Sequence, residues 1–150
     1  MAIVVFENAT EEPILGLQIT SAFKELFIRR GVLVVSDSRK ADMTLSGKIN
    51  QFEQIFLSLN SDGKASESRV AIGIAYRVSG KGLAEQLATR NVTASADYFN
   101  NADPSQDATA KDRAIREASF RLAEKVADEL AENKHNRLPP LLDNGKEGAQ

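Results

Sequence analysis

Cysteine and tryptophan are absent from this chain of 150 residues, and histidine occurs only once, at His135. Without cysteine the chain can form no disulfide, no thiolate nucleophile and no zinc–thiolate centre. One histidine in a predicted C-terminal tail gives no basis for a histidine-dependent catalytic triad or dyad. Neither a phosphate-binding glycine loop nor metal-ligand spacing occurs. The sequence therefore predicts a protein that is not an enzyme and that has no catalytic residue, metal or cofactor.

The chain also lacks a strong charge of one sign and a long apolar run. Its net charge of −2 gives no reason to expect a nucleic-acid partner. No apolar run reaches spanning length, which excludes a transmembrane helix. No signal peptide is recognised, because a strand-like segment follows Met1 at once. We expect either a cytosolic protein or a mature domain whose export segment has been replaced by a start codon.

The order of elements predicts one domain over 1–132 and a mostly disordered tail over 133–150, where prolines and glycines occur without periodicity. Strand, helix, strands and helix follow one another along the domain. This order predicts an α+β fold, a two-layer sandwich with two helices on one face of a mainly antiparallel sheet of four to five strands. The predicted elements are a strand at 3–6, a helix from Pro13 to Gly31, a short strand at 32–35, three long strands over 43–98 and a helix after Asp103.

The three long strands carry most of the information. Asp62-Gly63 is typical of a two-residue hairpin turn, and Ser79-Gly80-Lys81-Gly82 predicts a second turn. Folding about the first turn predicts these pairs: Ile55 with Val70, Glu53 with Ile72, Ile49 with Tyr76 and Gly47 with Val78. Since side chains alternate, one face is then the apolar core, with Met43, Leu45, Ile49, Ile55 and Leu57 against Val70, Ile72, Ile74, Tyr76 and Val78. Gln51 and Glu53 interrupt that face. In the last strand, Val92, Ala94, Ala96 and Tyr98 are predicted to point inward after a bulge near 88–91.

The opposite face is predicted to combine aromatic, small and basic side chains. The same register sets Phe52 against Gly73, Phe56 against Arg69 and Lys48 against Arg77. One interpretation is a shallow apolar groove with cationic edges that binds an anionic amphiphile. The other is ordinary sheet chemistry, in which Phe52 covers the bare backbone of Gly73. Lys64 and Arg69 flank the hairpin tip, either as solubilising charges or as a pair of cations for a phosphate or carboxylate.

Several motifs together resemble the lipopolysaccharide-assembly lipoprotein family (LptE-like). The similarity spans residues 3–131, and the order and spacing of the motifs carry it. They are Val4-Val5-Phe6-Glu7-Asn8-Ala9-Thr10, a helix from Thr20 to Arg30, the segment from Ala41 to Ile49, the segment from Asp62 to Arg69, Ser95-Ala96-Asp97-Tyr98 and the helix from Ala114 to Leu130.

The resemblance implies a lipoprotein on the periplasmic face of the outer membrane, anchored through an acylated cysteine that would precede Met1. It implies two partners, a large outer-membrane β-barrel that the lipoprotein plugs and lipopolysaccharide that it helps to assemble at the cell surface. The family's basic position near the hairpin tip falls on Lys64, with Arg69 second. Its other basic position falls near Gln106, and Lys111 is the closest substitute. Residues and resemblance together predict a ligand-binding set of Lys64, Arg69, Phe52, Phe56, Arg77 and Lys111.

Two alternatives stay open at this point. The opening motif followed by an amphipathic helix also resembles TolB amino-terminal and related periplasmic lipoprotein domains, which are protein–protein adaptors without a lipid role. The third hypothesis is a small cytosolic enzyme. Titration with lipopolysaccharide separates the two lipoprotein hypotheses, because an adaptor should show no saturable binding. The gene sequence upstream of Met1 tests the enzyme hypothesis, because a signal peptide that ends in cysteine supports only the two lipoprotein hypotheses.

Overall fold

A computed structural model of the chain describes residues 1–80 and 89–136, with side chains to residue 132. The elements, in chain order, are β1 (Ala2–Ile3), β2 (Glu7–Asn8), α1 (Leu15–Arg29), a short 3-10 helix (Ser38–Lys40), β3 (Met43–Leu59), β4 (Ala65–Gly80), β5 (Arg90–Phe99) and α2 (Pro104–Asn136). The predicted second turn and the first part of the last strand lie largely outside the described residues. The end of the predicted tail, 137–150, also lies outside them.

The five strands form one sheet in the order β1-β3-β4-β5, and β2 also pairs with β3. The pairs of β3 with β4 and of β4 with β5 are antiparallel, whereas β1 and β2 run parallel to β3. Both helices pack on one face of this sheet around a single apolar core. The predicted α+β fold with two helices and a mainly antiparallel sheet is therefore confirmed.

The N-terminal edge differs from the prediction of one strand over 3–6. The Phe6 N–H donates to Thr20 Oγ1 at 2.9 Å and not to β3, so the strand is interrupted between β1 and β2. Within the break, Phe6 is buried, while Val4 and Val5 before it are exposed. The predicted strand at 32–35 is reduced to one parallel bridge between Val35 and Ala2.

The helices bury the apolar stripes that their spacing predicts. In α1 these residues are Leu15, Ile19, Ala22, Phe23 and Leu26, and in α2 they are Ile115, Ala118, Leu122 and Val126, with Leu130 half-buried. Helix α1 begins two residues after Pro13, because Ile14 adopts a left-handed conformation with φ of 56°. Among the described residues, no helix combines the length and apolar composition needed to cross a bilayer.

The first hairpin is closed by a longer loop than the predicted two-residue turn. Strand β3 ends at Leu59 and β4 begins at Ala65. The Asn60 side chain organises the loop, since its Oδ1 accepts hydrogen bonds from the N–H groups of Asp62 and Lys64, both at 3.0 Å. Gly63 has a φ of 75°, which a residue with a β-carbon rarely adopts.

The predicted register between β3 and β4 is wrong. From Gln51 to Phe56 the partner lies one residue earlier in β4 than predicted, so Phe52 pairs with Ile72 and Ile55 with Arg69. From Met43 to Ile49 the partner lies two residues earlier, and Lys48 pairs with Ala75. The two stretches are separated by an irregularity between Ile49 and Gln51. A shift of one residue turns every side chain to the other face, and a shift of two restores the original face.

Which predicted core residues are buried depends on whether the register is shifted by one residue or by two. Leu45 and Ile49, in the stretch shifted by two, are fully buried as predicted. Ile55 and Leu57 were predicted in the core, but each is 39% exposed. Along β5 the inward positions are confirmed, and these residues are Val92, Ala94, Ala96 and Tyr98.

The outer edge of β5 is covered by side chains from α2. The Lys125 ammonium donates to the Thr93 carbonyl oxygen at 2.6 Å, and the Arg121 guanidinium donates to the Ser95 carbonyl oxygen. Backbone groups that a neighbouring strand would otherwise use are thus already hydrogen-bonded.

Candidate functional site

The sheet face turned away from the helices has small side chains along its central strand and polar side chains on the two flanking strands. Ala71, Gly73 and Ala75 run along the middle strand of this face. Their partners on β3 and β5 are polar, namely Glu53, Gln51 and Lys48 on one side and Ser95, Thr93 and Asn91 on the other. We call this surface the open face.

Gln51, rather than Phe52, covers the bare backbone of Gly73. A β-carbon added at Gly73 would lie 2.9 Å from Gln51 Oε1 and 3.0 Å from Gln51 Cβ. The predicted groove, in which Phe52 and Phe56 share the open face with Arg69, is therefore wrong. The reason is the one-residue shift in β3, which turns both phenylalanines toward the helix side.

Phe52 and Lys111 meet on the helix side of the sheet. The Lys111 ammonium lies 5.6 Å from the centre of the Phe52 ring and 3.3 Å from Glu12 Oε2. Phe52 is half-buried and packs against the core. The positive charge of Lys111 is thus engaged within the protein by a carboxylate and an aromatic face.

Arg69 is also engaged, on the open face. Its Nε and Nη2 donate to Asp97 Oδ1 at 2.6 Å and to Oδ2 at 3.0 Å. This bidentate pair raises the pKa of Arg69 and, chiefly through the hydrogen bond, lowers the pKa of Asp97. Arg69 pairs with Ile55 across the strands and not with Phe56.

Lys64 and Arg77 lie at opposite ends of the sheet. Lys64 is in the loop at the hairpin tip, and Arg77 pairs with Ser46 near the other end of β4. Eight residues of strand separate Arg69 from Arg77, which is about 26 Å. Both Lys64 and Arg77 are exposed, and neither forms an ion pair with any residue in the described ranges. The structure thus separates Arg77 from the cations near the tip.

The hairpin tip carries the most distinctive surface. Every residue from 53 to 64 is exposed, so no helix covers this end of the sheet. Large apolar side chains are nevertheless concentrated here and on the adjoining end of β5, and these are Ile55, Phe56, Leu57, Leu59 and Phe99. We call this set the apolar tip. Phe56 is 63% exposed, Leu59 62% and Phe99 77%.

Sequence reasoning missed Leu59 and Phe99. Leu59 ends β3, and its partner Ala65 is too small to cover it. Phe99 follows Tyr98 directly in the strand, and neighbouring side chains point to opposite faces. Because Tyr98 is buried on the helix side, Phe99 lies on the open face, and the adjacent aromatic pair was the signal for it.

The described ranges contain no cluster of three or more acidic or histidine side chains that would hold a metal ion. The described surface instead offers an apolar tip with a cation beside it and a polar, nearly flat open face.

Solved structures of bacterial lipoproteins share this fold. The rare lipoprotein B from Shewanella oneidensis is similar over 91% of this chain and 98% of its own, with a TM-score of 0.61 and 15% identity. A minor lipoprotein from Acinetobacter baumannii covers 89% of this chain and 90% of its own (TM-score 0.54, 12% identity). Lipoprotein B from Nitrosomonas europaea, described as uncharacterized, covers 83% and 77% (TM-score 0.51, 15% identity). At these identities the likeness shows the fold alone.

The family follows from the sequence match. The model of the lipopolysaccharide-assembly family LptE matches residues 1–131, and the chain belongs to that family. The resemblance found in the sequence motifs is thereby confirmed. It is a family of bacterial envelope lipoproteins that act in lipopolysaccharide assembly. No curated protein matches the chain.

Proposed function

We propose that the domain acts without catalysis in lipopolysaccharide assembly at the outer membrane, where it contacts the glycolipid and a partner β-barrel. The observation that carries the glycolipid contact is the hairpin tip. There, five large apolar side chains are exposed on the two faces of the hairpin and the adjoining end of β5, and Lys64 in the hairpin loop has no ion-pair partner in the described ranges.

The chemistry of the tip suits an anionic amphiphile. Lipopolysaccharide combines acyl chains with phosphate groups, and it therefore needs an apolar surface next to a positive charge. Exposed apolar patches rimmed by polar groups mark interaction sites. Lys64 supplies a positive charge that pairs with no carboxylate of the described side chains, unlike Arg69 and Lys111. Lys64 and Phe56 are accordingly the leading contacts of the predicted set, Arg69 is a second contact, and Phe52, Arg77 and Lys111 lie away from the tip.

The open face supports the second partner. The lumen of an outer-membrane barrel is polar, so a plug needs a polar surface of low relief. Small central residues flanked by polar side chains provide such a surface on this sheet. The proposal includes an anchor in the inner leaflet of the outer membrane, on a lipidated cysteine that precedes residue 1.

The experiment is a titration of purified lipopolysaccharide into the domain, with Lys64→Glu and the double variant Lys64→Glu/Arg69→Glu. We expect a loss of affinity of about tenfold for Lys64→Glu and a larger loss for the double variant, with unchanged thermal unfolding. Lys40→Glu changes an exposed cation in the short 3-10 helix and is the matched control.

The apolar half of the site has its own variants. Phe56→Ser and Leu59→Ser are expected to weaken lipopolysaccharide binding by about tenfold each, since an apolar side chain gains about 1.5 kcal/mol or more on burial. Leu33→Ser, at a side chain that is 78% exposed elsewhere, controls for nonspecific effects. Binding that all tip variants leave unchanged would refute the tip as the site. The absence of any saturable binding would favour the adaptor hypothesis.

A further inference from the structure

The outer edge of β3, on the side away from β4, is paired over its first half and open over its second. Strands β1 and β2 pair with it as far as Ile49. The last backbone hydrogen bond on this side joins the Ala9 N–H to the Ile49 carbonyl oxygen at 3.0 Å, after which the chain leaves the sheet for α1. Beside residues 50–59 this edge has no neighbouring strand among the described residues.

Alternate residues in this open stretch direct their main-chain groups away from the sheet. The Asn100 N–H donates to the Ser66 carbonyl oxygen, so even-numbered residues of β4 hydrogen-bond with β5 and odd-numbered ones with β3. The β3 partners of these odd-numbered residues are Gln51, Glu53 and Ile55. The N–H and C=O groups of the alternate residues therefore face outward at the edge. These residues are Phe52, Gln54 and Phe56.

The described chain gives these outward groups little protection. Strand edges that stay unpaired are usually protected by prolines, lysines or a covering element. The stretch 50–59 contains no proline, lysine or arginine, and Glu53 is its only charged residue. No described side chain donates to a carbonyl of residues 50–58, whereas Lys125 and Arg121 donate to carbonyls of β5. One edge of the sheet is thus covered, and the other is open to an added strand.

We propose that this edge binds an extended segment of another polypeptide, which adds a strand to the sheet beside residues 50–56. Strand addition gains affinity from main-chain hydrogen bonds and specificity from contacts of alternate side chains. The added strand continues the line of β2, which occupies the same side of β3. Because Ala9 already pairs at Ile49, the segment extends from there toward the hairpin tip.

The side chains at the edge define the chemistry of the segment. Phe52 and Phe56 point to the helix side, and apolar side chains at alternate positions of the segment would cover them. On the open face, Glu53 is exposed and forms no ion pair with a described side chain. A basic residue opposite Glu53 would supply one. The ligand is thus an extended peptide with one apolar face and a lysine or arginine on the other.

A second copy of this chain fits the edge poorly. If two β3 edges paired antiparallel about Gln54, Leu59 of one copy would face Ile49 of the other. Ala9 already donates to the Ile49 carbonyl, and β2 fills that position. The hairpin of each copy would collide with the N-terminal segment of the other, whereas a short segment that ends beside residue 50 meets no such obstacle.

Amide hydrogen exchange tests the edge in the free protein. The N–H groups of Phe52, Gln54 and Phe56 should exchange about tenfold faster, or more, than those of their neighbours that hydrogen-bond to β4. Equal protection of the two sets would show that the edge is already covered and would overturn the proposal.

A synthetic peptide, Thr-Val-Thr-Val-Lys-Val-Thr-Val-Thr, is the probe for binding. Its valines share one face, and its lysine lies on the other. We expect saturable binding, with exchange of the three outward N–H groups slowed about tenfold at nine-tenths occupancy. Replacement of the peptide lysine by glutamate should weaken binding about threefold in the native chain and not in Glu53→Gln. The absence of saturable binding would overturn the proposal.

N-methylation of the peptide separates strand addition from nonspecific adhesion. An added strand uses the N–H groups of alternate residues only, so one edge of the peptide is engaged. Of two peptides, one N-methylated at its valines and one at its threonines, one should lose binding and the other keep it. Equal binding of the two forms would refute strand addition.

The matching change in the protein is Gln54→Pro. It removes one outward N–H and leaves the hydrogen bonds to β4, as an edge position allows. Gln54→Ala loses the same side chain and keeps the N–H, so it is the control. Peptide binding should be lost in the proline variant and stay within about twofold of native in the alanine variant. Lipopolysaccharide binding should be equal in the two variants, which separates this site from the proposed glycolipid contact.

Two further outcomes would overturn the proposal. One is equal peptide binding by Gln54→Pro and Gln54→Ala. The other is a mass above 16.3 kDa for the domain alone, together with protection of the outward N–H groups that rises with protein concentration, since this would assign the edge to a second copy.

Discussion

Arg69 and Asp97 lie opposite each other on β4 and β5 and are joined by two hydrogen bonds of 2.6 and 3.0 Å. The pair lies on the open face, in the same row of side chains as Ile55 of the apolar tip. A cation that the sequence places beside the tip is thus partly neutralised by the neighbouring strand. The charge that Arg69 offers to the proposed ligand therefore depends on Asp97.

Asp97→Asn is expected to strengthen lipopolysaccharide binding. The substitution removes the negative charge that Arg69 faces and leaves its guanidinium free for a phosphate. We expect a gain in affinity of roughly twofold to fivefold, the size of one surface ion pair. Titration of the variant measures it, and Asp97→Asn/Arg69→Gln should lose the gain. A weaker affinity for Asp97→Asn alone would show that Arg69 does not contribute as a free cation.

The same pair predicts a dependence of stability on pH. The hydrogen bond from Arg69 lowers the pKa of Asp97 below its ordinary value of 3.8. The contribution of the pair to stability is therefore complete well above pH 3.8 and is lost as the pH falls through the lowered pKa of the folded state. The difference in unfolding temperature between the native chain and Asp97→Asn should vanish once the pH is below the lowered pKa of Asp97 in the folded state. A difference that is constant from pH 7 to pH 2 would contradict this assignment.

Lys111→Gln distinguishes an internal role from a ligand contact. The lysine forms an ion pair with Glu12 and a cation–π contact with the Phe52 ring. Its loss should therefore lower the free energy of unfolding by roughly 1 kcal/mol. Affinity for lipopolysaccharide should change less than twofold, because the charge is already offset. Denaturant unfolding and titration measure the two effects. A tenfold loss of affinity at unchanged stability would return Lys111 to the binding site.

Gly47→Ala probes the packing of the N-terminal segment against the sheet. A β-carbon at residue 47 would lie 2.2 Å from Phe6 Cε1 and 2.6 Å from its Cδ1, so the ring must move. We expect a destabilisation of about 1–3 kcal/mol, as overpacking of a buried ring produces. Gly63→Ala tests a different cause, since no atom lies within 4 Å and only its φ of 75° opposes the substitution. An unfolding free energy that Gly47→Ala leaves unchanged would show that the ring is free to shift.

Much of the architecture could be predicted, because helix periodicity and strand alternation depend on local spacing. The predicted register of β3 is wrong because the strand has a local irregularity that its residue types do not indicate. Asn50 lies where the strand changes phase, and it is neither glycine nor proline. The interruption of the predicted core by Gln51 and Glu53 was the available signal, since both residues lie on the open face once the phase changes.

The positions of the proposed contact residues in the fold could be predicted only in part for the same reason. Lys64 is close to a turn that the sequence marks clearly, so its exposure was predictable. The positions of Phe52 and Arg69 depend on contacts with Lys111 and Asp97, which lie 59 and 28 residues away in sequence. Strand spacing alone contains no information about such long-range partners.

The hydrogen bonds from Lys125 and Arg121 to β5 decide how assemblies of this domain can grow. With the Thr93 and Ser95 carbonyls occupied, these two groups are not available to a strand that would extend the sheet at this edge. Edge-to-edge growth of the sheet is thus opposed at β5, while the open face and the apolar tip stay exposed.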